Sequence, residues 1–110
     1  YPQRLPAKLA GLDFFKLKSL HFAKPDFKAF SCLGLAYQAA HAGGTMPCVL
    51  NAANEVSVEQ FLKNKLDFVA IPKVIAKVMS KHKNAVNPDL NDIWKADCWA
   101  RDKAREVIGI

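Results

Sequence analysis

GGTMPCVLNAANEVSVEQFL, residues 43–62, decides the fold. Gly43 stands where a helix needs a left-handed C-cap residue, and Gly44 follows it. Thr45 is a good N-cap, and Pro47 falls in a first turn, where a missing N–H costs nothing. At about 100° per residue, Met46, Val49, Leu50, Ala53, Val56 and Phe61 then share one face. Asn51 and Glu55 are four apart on the opposite flank, with Asn54 at the boundary. The stretch therefore reads as one helix ending and another running to about residue 62 or 63. A phosphate loop is the competing reading. It would need glycines at more fixed offsets and a Lys followed by Ser or Thr. No lysine follows these glycines, and Pro47 removes an N–H that could face an anion.

The same punctuation recurs on either side. SCLGLAYQAAHA predicts a helix over 31–42 with Ser31 as N-cap. Pro72 marks the first turn of a helix over 70–81. There Ile71, Val74, Ile75, Val78 and Met79 follow the i, i+3, i+4, i+7, i+8 pattern. Asn87-Pro88 reads as a cap and first residue of a last helix over 88–107, with Leu90, Ile93, Trp94, Ala100, Ala104 and Val107 inward. Connections of two to eight residues make this an all-α fold, a compact bundle or superhelix of about four helices. An extended N-terminal segment precedes it. Residues 1–11 carry Pro2, Pro6 and Gly11 and read as linker. Residues 12–24 alternate at Phe15, Leu17, Leu20 and Phe22, which predicts extended chain or one short strand. Such a strand has no partner in the sequence. It must lie over the helices or pair with something outside them.

The 110 residues suit one domain. The formal charge of +6 favours anionic partners without selecting one. Cys32, Cys48 and Cys98 are odd in number and form no CxxC, so they read as reduced, buried side chains. With His21, His41 and His82 they lack the paired spacing of a zinc site. No apolar run reaches the roughly 18 residues of a membrane span, no signal peptide is visible, and the Tyr1 start reads as part of a longer protein.

Asparagines are poor helix formers, so Asn51 and Asn54 in mid-helix require partners. Asn51, Asn54 and Glu55 are the candidate site, either structural or at a domain interface. A lone carboxylate is too few for a metal. Trp94, Trp99 and Arg101 suit either a base-stacking platform or ordinary packing. Asp89 and Asp92 suit a helix start. No nucleophile triad, dinucleotide loop or acid–base pair is present.

The segments LDF, SLHF with PDF, AGGT-P-VLNAANE-SV-FL, Ile71 to Ile75, and AD-WAR-A over 96–104 resemble the C-terminal part of the 1-deoxy-D-xylulose 5-phosphate reductoisomerase family. The resemblance covers nearly the whole chain. It implies residues 1–30 as the end of a linker and 31–110 as the C-terminal helical domain. It also implies an enzyme that makes 2-C-methyl-D-erythritol 4-phosphate for isoprenoid synthesis, using NADPH and magnesium or manganese, and inhibited by fosmidomycin. The family's nucleotide loop, metal acids and phosphate ligands lie upstream, so no catalytic, cofactor-binding or metal residue is carried onto this chain. The expected partners are the rest of the polypeptide and a second copy, with no nucleic acid or membrane. The expected location is bacterial cytoplasm or plastid stroma. The rival expectation is an independent basic module for nucleic acid or an acidic partner, which salt-dependent binding would reveal.

Overall fold

The computed structural model describes residues 3, 8 and 10–110. The linker reading of residues 1–11 falls mostly on residues outside these. The described residues contain five α-helices and no strand: α1 (Phe14–Leu17), α2 (Ser31–Ala42), α3 (Met46–Leu62), α4 (Ile71–Lys81) and α5 (Leu90–Ile108). A 3₁₀ turn, Phe68–Ala70, leads into α4.

The alternation at Phe15 and Leu17 does not make a strand. The Asp13 carboxylate accepts from the Phe15 and Lys16 amides and bends the chain into the single turn α1. Residues 10–26 are exposed, apart from half-buried Leu17, and do not lie over the helices, whereas Phe27 reaches Tyr37 of α2, ring centres 6.2 Å apart. Asp26 holds the turn before α2 by accepting from the Lys28 and Ala29 amides. Ser31 is the first residue of α2 and not its cap. Phe30 occupies the cap position and offers no side-chain bond.

Helix α3 is central and packs on α2, α4 and α5. Val49, Ala53 and Val56 are buried as their spacing predicts, together with Ala52, Ser57 and Gln60. Ser57 stays buried because its hydroxyl donates to the Ala53 carbonyl one turn back. Phe61 was expected inside. It lies at the surface instead, with its ring 5.7 Å from that of Phe68. Asn64, at φ +55°, ends α3: its amide donates to the Phe61 carbonyl and the Lys65 amide to that of Gln60.

All five residues expected inward on α4 are buried. Helix α5 departs from expectation at its start. Asp89, not Asn87, is the cap, and it forms a capping box with Asp92. The inward stripe is Ala96, Ala100 and Ala104, spaced by four. These short side chains let α5 lie close against α3, with Val107 packed at the edge. Leu90, Ile93 and Trp94 are displaced outward, with Trp94 62% exposed. The three cysteines are free, and none is buried, contrary to expectation: Cys48 is half-buried, Cys32 and Cys98 are exposed.

Candidate functional site

Two polar constellations bind the helices together. The first runs along the seam of α3 and α5. Asn51 Nδ2 donates to Glu55 Oε1 at 2.8 Å, and Glu55 Oε2 accepts from Arg101 at 2.7 Å. Arg101 also grips Asp97 with two bonds, at 2.7 and 3.1 Å. The Arg101 and Asn51 bonds hold the Glu55 carboxyl below its usual range. Asp97 and then Glu55 push the Arg101 guanidinium further up. Thus Asn51 and Glu55 do come together. Asn54 is half-buried and does not join them. Its amide makes no side-chain hydrogen bond among the described residues. Arg101 and Asp97 complete the row, although neither was an expected partner of Asn51 or Glu55. Arg101 lies 46 residues from Glu55, and no local spacing could have paired them. The Asp97–Arg101 spacing of four was the available signal.

The expected stacking platform does not form. Trp99 turns to His82, ring centres 5.1 Å apart, Arg101 turns to carboxylates, and Trp94 stays at the surface.

The second constellation joins the α2–α3 bend to the α4–α5 bend. Thr45 stands at the N-cap of α3, yet its hydroxyl makes no cap bond. Asn84 does that work from the other bend. Its Oδ1 accepts from the Thr45 amide at 2.9 Å, the Met46 amide at 3.1 Å and the Thr45 hydroxyl at 3.1 Å. Its Nδ2 donates to the Ala42 carbonyl at the end of α2. The Thr45 hydroxyl oxygen accepts from the Ala85 amide and lies 2.7 Å from His82 Nε2. With the Thr45 proton directed to Asn84, His82 Nε2 would be the donor in this contact. The question of a phosphate at Gly43-Gly44 is answered by these bonds: the first amides of α3 are already taken by Asn84.

Burial holds the His82 imidazole below its usual range. An unfolded chain takes up a proton near pH 6.5, while the folded chain resists it. Stability therefore falls as the pH drops below about 6.5. The thermal midpoint should decline from pH 7 toward more acid values. His82→Gln, which retains a donor, should flatten that slope, and an unchanged slope would refute the role of His82.

No three His, Cys, Asp or Glu gather among the described residues. Burial, and then the Asp97 charge, raises the Cys48 thiol, which disfavours a thiolate. No described helix is long and apolar enough to cross a membrane.

The model of the family described as DXP reductoisomerase C-terminal domain matches residues 1–103. The chain belongs to this family. A 1-deoxy-D-xylulose 5-phosphate reductoisomerase of Pelotomaculum thermopropionicum is 52% identical over 98% of the chain, and that of Nitrosomonas europaea is 51% identical over the same share. The chain spans only 28% and 26% of their lengths. Among solved structures, the reductoisomerase from Zymomonas mobilis in complex with NADPH superposes with a TM-score of 0.87 at 34% identity. It covers the whole chain and 29% of its own. A DOX-P reductoisomerase in complex with magnesium gives 0.77 at 33%, covering 99% of the chain and 30% of its own. The all-helical reading is thus the architecture of the DXP reductoisomerase C-terminal domain.

Proposed function

We propose that this chain is the C-terminal helical domain of an NADPH- and divalent-cation-dependent reductoisomerase. The whole enzyme would convert 1-deoxy-D-xylulose 5-phosphate to 2-C-methyl-D-erythritol 4-phosphate, as a homodimer in bacterial cytoplasm or plastid stroma. The chemistry belongs to the remaining polypeptide, and this domain scaffolds it. NADPH would supply the hydride and the cation would polarise the substrate; both would be held outside residues 1–110. Residues 1–30 serve as the linker.

The observation that carries the scaffold role is the second face of α3. Beside its buried stripe, the helix presents Asn51, Asn54, Glu55, Val58, Phe61 and Leu62 at helical spacing. Leu62 is 73% exposed, Val58 and Phe61 36% each. A central helix with apolar and amide groups turned outward is suited to a second protein surface. The unpaired Asn54 amide is the group that such a surface would satisfy. The exposed row of Phe14, Phe15, Leu20 and Phe22 in the linker points the same way.

Asn54→Leu in the full-length enzyme should reduce activity and lower the melting midpoint by about 2–4 °C, the shift that 1 kcal/mol gives a larger domain. If neither changes, that flank has no scaffolding role. Residues 1–110 alone should show no NADPH-dependent turnover, and turnover would overturn the placement of the chemistry elsewhere.

A further inference from the structure

A cleft of about 440 Å³ lies where α4 ends and α5 begins, directly over the Thr45–His82 joint. Its walls carry Lys81, Lys83 and Lys95, with His82, Trp99 and one carboxylate, Asp92. Three cations face a single anion, and that anion is engaged. Asp92 accepts from the Asp89 amide in the α5 capping box. Among the described residues, Lys16, Lys63, Arg101, Lys103 and Arg105 pair with carboxylates, while Lys18, Lys24, Lys28, Lys65, Lys73 and Lys77 do not, so what sets the cleft apart is the gathering of three lysines in one concave site. Lys81, Lys83 and Lys95 have no carboxylate partner among the described residues. Lys81 is accounted for by the carboxyl end of α4, which favours a cation. Lys83 and Lys95 have no such explanation.

The cleft is also built on a firm base. Thr45 is 2% exposed, and its three side-chain partners fix the floor. Trp99 packs against His82 as a tilted pair, ring centres 5.1 Å apart, and forms one wall. The volume falls in the range of small-ligand sites. It sits at the far end of α4 from the apolar cleft formed by Phe30, Phe68, Val69 and Pro72. One helix of 11 residues, roughly 16 Å at 1.5 Å per residue, separates the two. The basic cleft is therefore distinct from that apolar surface and from the outer face of α3.

We propose that this cleft binds a phosphate-bearing small anion, with Lys83 and Lys95 as its principal ligands and Lys81 supporting them. Lysine ammoniums are point-charge donors suited to phosphate oxygens. The site does not depend on the scaffold role, because the ligand would bind residues 1–110 alone.

Inorganic pyrophosphate is the probe, titrated at low ionic strength and pH 7.5 into the 110-residue chain and followed by amide and indole NMR shifts. Saturable one-to-one binding is expected, with the shifts confined to the cleft, at Thr45, His82, Lys83, Ala85, Lys95 and the Trp99 indole. The double variant Lys83→Gln/Lys95→Gln exchanges exposed side chains and should fold normally. It should bind about tenfold more weakly, as loss of two charge-assisted contacts requires. Three results would overturn the proposal. They are no saturation at millimolar pyrophosphate, equal shifts along the lysines of residues 16–28, or unchanged affinity in the double variant. Sulfate binding as tightly as pyrophosphate would also overturn it, since that is general ion screening.

Discussion

Gly44→Ala should destabilise the chain by about 4 kcal/mol or more, at the extreme of single substitutions. Gly44 sits at φ +57°, where a side chain is strained. The added Cβ would also lie 2.0 Å from the Ala85 carbonyl oxygen and 2.7 Å from Asn84 Oδ1. The first contact is with backbone, so no rotamer change relieves it. The same carbonyl accepts from the Thr45 amide at 3.1 Å, which fixes its position. Relief requires the two bends to separate, which breaks the joint. Gly43 is the control. Its φ is +60° and its ψ −151°, a region essentially reserved for glycine. A Cβ there meets nothing within 4 Å. Gly43→Ala should therefore cost only the backbone strain of about 1–3 kcal/mol. Denaturant unfolding of the two variants checks both values. Equal losses would mean that the contact with Ala85 is absent in solution.

Asn84→Ala should cost about 2–4 kcal/mol, from the loss of a cap and of the four hydrogen bonds the side chain makes across the two bends. The substitution removes Oδ1 from the Thr45 and Met46 amides and Nδ2 from the Ala42 carbonyl, leaving the amides only their 3.1 Å bonds to the Ala85 and Gly43 carbonyls. Asn84→Asp separates the two halves of the role. It keeps the acceptor and places a negative charge at the start of α3, which the helix favours. It loses the bond to Ala42 and turns a carboxylate oxygen toward that carbonyl, at the end of α2 that disfavours an anion. Its cost should be about 1 kcal/mol less than that of alanine, the worth of the retained cap. An aspartate as damaging as alanine would show that the bond to Ala42, not the cap, dominates.

The sequence was most legible where the pattern was local and repeated. Five apolar residues of α4 at helical spacing were placed inside, and all are buried. The end of α2 at Gly43 and the extent of α3 followed from punctuation by glycine and proline. At the start of α5, apolar size points to Leu90, Ile93 and Trp94 as the buried face, and the structure turns them outward. The alanine stripe wins since it lets α5 approach α3, and Leu90 and Trp94 lie around the helix from it. The Phe15–Leu17 alternation was real but too short to outweigh the Asp13 cap. Thr45 was the right residue for the wrong bond. A local cap was expected, whereas its hydroxyl serves a bend 37 to 40 residues away. In the candidate site, the Asn51–Glu55 spacing was visible, but Arg101 as the partner was not. Pairings across 40 residues leave no periodic trace.

The clasp at Asn84 also fixes an order of events. Its bonds join residues 38 to 42 apart. Both hairpins, α2 with α3 and α4 with α5, must turn before they can meet, because loop closure comes first. Bonds that form after the main barrier hold the native state in place without hastening its arrival. If the clasp closes after that barrier, Asn84→Ala should speed unfolding and leave the folding rate nearly unchanged, which folding and unfolding rates across denaturant would read. For a scaffold that must keep a neighbouring surface in register, residence in the folded state matters more than the speed of reaching it.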